Sequence, residues 1–370
     1  MRILFALPGL HRFDRGAEVA IIAIASELAK SGDQVTLIGS GHARPEASYC
    51  FQNSPSIRRE RFEHFPRVPV LRSETVYEEA SFVPGLLARY RPQNFDITVT
   101  CSFPFTNWAL RKRGVLNGRR PPHVFITQNG DWPALSNASE YRYFNCEGLV
   151  CTNPDYYNRN KEQWNCALIP NGVDLGRFGP GPPDRARFAL PIDRQVILMV
   201  SALIETKRVA DGIAAVARIP DAHFVVAGDG ILRTQIDQIA ENLLPNRFTR
   251  VIAEPHEMPI LYRSADTFLH LSKEESFGNV FVEAMACGLP IVGHDTPRLR
   301  WIVGDDEMLV DTTESSRVST ALATALQEPA SASAKQKRVI RAANFSWSII
   351  AEKYRAFFEK IISREASSAY

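Results

Sequence analysis

A chain of 370 residues with 45% hydrophobic and 23% charged side chains has enough apolar content for two ordinary globular domains, which excludes a disordered chain. Its 43 lysines and arginines against 41 acids leave a formal charge of +2, so no nucleic-acid partner is expected and any basic site has to be local. Six scattered cysteines (Cys50, Cys101, Cys146, Cys151, Cys166 and Cys287) lack metal-ligand spacing and read as packing residues, no metal is expected, and no apolar run reaches membrane-span length. Cytoplasm is the expected compartment.

Residues Ile3 to Leu7 run into a Pro-Gly turn as a first strand would. The helix expected from Ala17 to Lys30 is apolar nearly all round, with Val19, Ile21, Ile22, Ile24 and Leu28, which marks an element covered on both sides. Gln34 to Ile38 is the next strand. A long irregular stretch follows, in which residues 51–72 carry five arginines, two glutamates and several aromatics without helical period. These residues form either a solvated loop or a surface for an anionic or lipid-linked acceptor, in peripheral contact with the inner face of a membrane.

Strands are then expected at 97–101, 124–127, 149–152 and 167–169, with helices near 82–90, 105–113 and 155–164. The run Gly176 to Pro183, rich in Gly and Pro, reads as an interdomain linker. A second alternation follows, with strands at 196–200, 224–227, 249–253, 267–271 and 290–292. The rhythm predicts an α/β chain of two doubly wound, Rossmann-like domains facing a cleft. Residues 1–173 form the first domain and 174–345 the second. A last helix with Trp347, Ile350, Tyr354, Phe357, Phe358 and Ile361 at amphipathic spacing must bury one face.

The chemistry concentrates in Glu275-Ser-Phe-Gly-Asn-Val-Phe-Val-Glu283. Phe277, Val280, Phe281, Ala284 and Met285 follow helical spacing, with Gly278 near the turn into the helix, so Glu275 precedes a buried helix and Glu283 lies inside it. Their carboxylates stand about 10 Å apart, with the free N–H groups of the helix start between them. That arrangement suits a nucleotide sugar, one acid holding sugar hydroxyls, the other a ribose, and the helix end facing the diphosphate. The plainer alternative is that Glu283 pairs within its helix and Glu275 is a loop charge; an acid on a buried face needs some partner.

This stretch resembles the Glu, seven residues, Glu signature of the retaining glycosyltransferases of family four. Other landmarks of the resemblance follow in order: Arg2-Ile-Leu-Phe-Ala with Gly16-Ala17-Glu18, Ile169-Pro-Asn-Gly-Val-Asp174, Lys207, and Val225-Val-Ala-Gly-Asp-Gly230. The resemblance implies the GT-B fold, a final helix over about 346–370 that packs back on the first domain and makes that domain discontinuous, and a nucleoside-diphosphate sugar as co-substrate with no other cofactor. The acceptor would be a sugar, a lipid-linked group or a small molecule. Lys207 would hold the donor diphosphate, Glu275 would orient donor hydroxyls and Glu283 would hold the ribose.

Ser276, Phe277, Gly278 and Asn279 would complete the donor contacts at the helix start, and Gly228 and Glu254 would line the donor side. In the loop ending at Gly16, the family's second glycine is Arg15, which either adds a guanidinium to the phosphate side or is solvated; Glu18 would cap its helix. Where the family commonly has an arginine stands Ala202, and Arg208 or Arg15 could replace that charge. Where relatives have a histidine near the transferred sugar, Gln128 and Asn129 could donate a hydrogen bond but not act as a base. His11 and His294 are ambiguous. A nucleotide-sugar epimerase of related fold and a non-catalytic nucleotide-sugar-binding relative are the competing functions.

Overall fold

The computed structural model describes residues 1–112, 120–327 and 331–367. The chain divides into two compact units, Met1–Asn171 with Trp347–Tyr370, and Gly172–Ser346. Strands in the first unit are β1 (Arg2–Ala6), β2 (Gln34–Gly39), β3 (Cys50–Asn53), β4 (Ile97–Thr100), β5 (His123–Ile126), β6 (Gly148–Cys151) and β7 (Cys166–Leu168). They form one parallel sheet in the order β3-β2-β1-β4-β5-β6-β7. The second unit carries β8 (Gln195–Val200), β9 (Ala222–Ala227), β10 (Phe248–Val251), β11 (Thr267–His270), β12 (Ile291–His294) and β13 (Met308–Val310), in the order β10-β9-β8-β11-β12-β13.

Both sheets reverse direction beside their first strand, between β1 and β4 and between β8 and β11. The crevice beyond the strand ends at such a reversal is where ligands bind in doubly wound sheets. Central strands are buried on both faces, and Arg2–Ala6 and Gln195–Val200 read accordingly as near-continuous apolar runs. The edge strands β3 and β13 were not expected. They are four and three residues long and only partly buried, which leaves no apolar run to read.

Helix boundaries moved for similar reasons. The helix expected near 82–90 begins at Glu74, because its first two turns are polar, and it carries Pro84 inside. The helix from Phe105 ends at Leu110, residue 113 lying outside the described residues, and the one expected over 155–164 spans Pro154–Asn160. The final helix, Trp347–Ser367, packs on Gly16–Lys30 as expected. Its Ile350, Tyr354, Phe358 and Ile361 join Ile21, Ile24 and Leu28 in one core, each such side chain contributing about 1.5–3 kcal/mol.

The Gly- and Pro-rich run Gly176–Pro183 is not a free linker. Phe178 is buried with its ring 5.9 Å from that of Tyr262, and Arg263 donates to the carbonyls of Gly179 and Arg177. Arg177 in turn donates to Pro255, so the run is fastened to the second unit. No described helix is long and apolar enough to cross a membrane.

Among the buried acids of the first unit, Glu79 carries the clearest pH dependence. Glu79 is 3% exposed, takes the Thr106 N–H at 2.6 Å, and has its carboxyl pushed up to about 7 by burial. A raised folded-state pKa gives stability that is full below the unfolded value of 4.5 and lost as pH rises through about 7. Glu79→Gln keeps the acceptor and never ionises. It is expected to gain on the parent by about 3 kcal/mol between pH 4.5 and about pH 8, read as the difference in urea unfolding.

Candidate active site

The second unit's crevice gathers residues from the ends of β8 and β11. After β8 the chain makes a short turn, Glu205–Lys207, and Arg208 then takes a left-handed conformation to start the helix Val209–Val216. This turn aims Lys207 at Glu275, and the two form an ion pair through Glu275 Oε1. His270, the last residue of β11, places its Nε2 3.5 Å from the same oxygen. Neither landmark motif nor spacing had singled out His270; its position at a strand end in this crevice was the available signal.

The helix Asn279–Cys287 starts at Gly278, an N-cap residue with no side chain of its own to cap it. Gly278 sits at φ 94°, and a Cβ there would stand 2.7 Å from the Phe281 ring, so only glycine allows this entry. Phe277 is 2% exposed and anchors the turn, its ring 5.8 Å from Phe345 and 6.4 Å from Trp301. Its side chain is mostly core and also lines the hollow beside Glu275. Ser276 and Asn279 lie half-buried on either side of Gly278.

Glu283 has a protein partner. Tyr262, fully buried, donates its hydroxyl to Glu283 Oε2 at 2.8 Å, and burial pushes the Glu283 carboxyl up. The two glutamates thus share one pattern. Glu275 is held through Oε1 and Glu283 through Oε2, while no described residue donates to Glu275 Oε2 or Glu283 Oε1. Beside Glu275 opens a shallow hollow lined by Phe281, Leu299 and Ile302 together with Lys273, His294 and Arg298. Arg298 donates to the Glu275 carbonyl.

Several expected contacts have other duties. Arg208 does not replace the missing arginine at Ala202: its guanidinium is spent on Asp211, the Leu271 carbonyl and both oxygens of Thr312. Gly228, at φ 146°, lies where a Cβ would be 2.0 Å from the Ser201 carbonyl, so close backbone packing already requires it. Glu254 is exposed, in a turn closed by the Glu257 N–H on its carbonyl. His294 shares a 3.0 Å hydrogen bond with Thr312.

The first unit holds the remaining candidates. Arg15 does not offer a free guanidinium to a phosphate: it lies 3.6 Å from Glu78, 3.9 Å from Glu18 and 4.0 Å from Glu60, above the Phe13 ring. Glu18 is buried in the first turn of its helix, with its carboxyl turned toward its own backbone N–H and filling the space where Gly9 would carry a Cβ. Gly16 is exposed, and a Cβ there would meet nothing. Gln128 is buried and paired both ways with the Asn171 amide, at 2.6 and 3.0 Å, which commits one of its two N–H donors and fixes the orientation of its amide. Asn129 is exposed in the turn after β5. His11 is structural, bonded to the His42 carbonyl and the Tyr49 hydroxyl and stacked on Phe51.

Residues 15–177 match the family described as Glycosyltransferase Family 4, and residues 182–344 match Glycosyl transferases group 1. The chain is 30% identical to the D-inositol 3-phosphate glycosyltransferase of Corynebacterium jeikeium, over 94% of this chain and 92% of that one. Among solved structures, sucrose-phosphate synthase from Thermosynechococcus elongatus is similar at a TM-score of 0.78 and 21% identity, covering 98% and 99% of the two chains. Anabaena HepE in complex with UDP and glucose is similar at 0.73 and 18%, covering 97% and 100%. With two parallel Rossmann-like units in the GT-B fold and a relative matched over nearly its whole length, the chain belongs to the group 1, family four glycosyltransferases.

Proposed function

We propose that the chain transfers a sugar from a nucleoside-diphosphate donor to an acceptor hydroxyl with retention at the anomeric carbon. The observation that carries this is the paired glutamates, each tied into the protein by one oxygen and open at the other. Glu275 Oε2 takes donor sugar hydroxyls and Glu283 Oε1 takes the ribose. Lys207 and the start of the helix Asn279–Cys287 stabilise the departing diphosphate. The bond from the anomeric carbon to the diphosphate oxygen breaks as the bond to the acceptor oxygen forms on the same face, and the acceptor proton passes to the departing phosphate oxygen.

A UDP sugar is the first donor to test, because the similar HepE structure holds UDP and glucose. The acceptor is a hydroxyl on a sugar, polyol, lipid-linked or small-molecule carrier, and inositol phosphate is the first to try on the strength of the Corynebacterium jeikeium relative. Calorimetry with UDP and other nucleoside diphosphates tests the site. Glu283→Ala is expected to weaken binding about 10-fold through the lost charge-assisted bonds, and a parent chain that binds none of these nucleotides would sink the proposal. Product analysis without acceptor separates transfer from epimerisation.

A cytoplasmic enzyme touching the inner face of a membrane is the finer placement we favour. Ile57, Phe65 and Val68 are 46%, 49% and 42% exposed, and Arg58, Arg61 and Arg67 beside them have no ion-pair partner among the described residues. Apolar and cationic side chains together suit an anionic lipid surface. Sedimentation with anionic vesicles is expected to fall several-fold in a variant with Arg58, Arg59 and Arg61 changed to glutamine; equal sedimentation removes the contact.

A further inference from the structure

We propose that His270 is a positioning residue for transfer, a neutral Nε2–H donor that, with Lys207, pins Glu275 Oε1 so that Oε2 meets the donor sugar. This rests on the role given to Glu275 above. His270 ends β11, is 2% exposed, and is wedged by Phe281, whose ring centroid lies 5.0 Å away. The backbone N–H of Ser272 donates to its Nδ1 at 3.3 Å. A nitrogen that accepts has its lone pair free of a proton, so the ring proton sits on Nε2, 3.5 Å from Glu275 Oε1.

Burial holds the imidazole's pKa down to about 4, so the ring stays uncharged where enzymes of this kind work. A neutral donor suits its task. A second full cation beside Lys207 would draw the carboxylate deeper into the protein, whereas an N–H dipole fixes its orientation and leaves its charge for the ligand. Lys207 alone, on a flexible four-carbon stem, lets the carboxylate rotate; the ring is rigid and packed.

The test compares kcat and donor KM for His270→Leu, His270→Gln, His270→Asn, Glu275→Gln and the double variant His270→Leu with Glu275→Gln, with thermal unfolding of each as a control. Glutamine carries an N–H near the place of Nε2, and asparagine carries its amide near Nδ1. His270→Leu is expected to lose about 10- to 100-fold in kcat with donor KM within about 3-fold, in the range found for orienting partners. His270→Gln is expected to recover most of that loss and His270→Asn little. The double variant is expected to be no slower than Glu275→Gln, because His270 acts through that carboxylate.

Parent-like kcat in His270→Leu, equal losses in the glutamine and asparagine variants, or additive losses in the double variant each overturn the assignment. If Glu275→Gln itself keeps parent kcat, the role of Glu275 falls and His270 falls with it. An impaired Glu275→Gln beside an active His270→Leu overturns only the role of His270.

Discussion

Glu275→Ala is expected to lower kcat about 100-fold while changing the affinity for the bare nucleoside diphosphate little. The carboxylate meets the sugar, not the nucleotide, so its loss removes one charge-assisted hydrogen bond, on the order of 1.5–3 kcal/mol. The truncation also strips Lys207 and the neighbouring His270 of their shared acceptor at Oε1. Glu275→Gln keeps the shape and loses the charge, so it should fall between the parent and alanine. Initial rates over a range of donor concentration decide the matter; a raised KM with unchanged kcat would move Glu275 from the reacting sugar to uniform donor binding.

Lys207→Ala is expected to be the more severe change in kcat/KM, about 100- to 1000-fold. A cation aimed at charge that develops on a leaving group stabilises the transition state more than the bound substrate. In the structure Lys207 is already paired with Glu275, which sets its Nζ in place before any ligand arrives. Lys207→Arg should recover little, because a planar guanidinium does not reproduce the compact point charge of an ammonium. Donor-dependence of single-turnover rates reads the loss directly, and a fall of less than about 3-fold would remove Lys207 from the leaving-group site.

The two-unit α/β plan, the parallel strands and the helix between Glu275 and Glu283 were all legible from periodicity, since buried parallel strands are written as apolar runs. The edge strands β3 and β13 were not, being short and half-wet. The same limit applied to the linker: Gly and Pro in Gly176–Pro183 announce irregular backbone, and nothing local records that Arg263, some 80 residues away, ties it down. Charged side chains were the least legible. Arg15 and Arg208 each sit in a loop at a helix start and look available, yet one is ringed by acids from the helix Glu74–Arg89 and the turn at Glu60, and the other is consumed by Thr312.

Sequence by itself determined the fold class, the placing of Glu275 before a buried helix with Glu283 inside it, and the glycine at the helix start, because these follow from spacing and from backbone conformations that few residues adopt. Only the tertiary structure decided which oxygen of each carboxylate is left open. Tyr262, Lys207 and His270 come to the two glutamates from other strands and helices, 21, 68 and 5 residues away in sequence, and a contact between separate elements leaves no periodic trace along the chain.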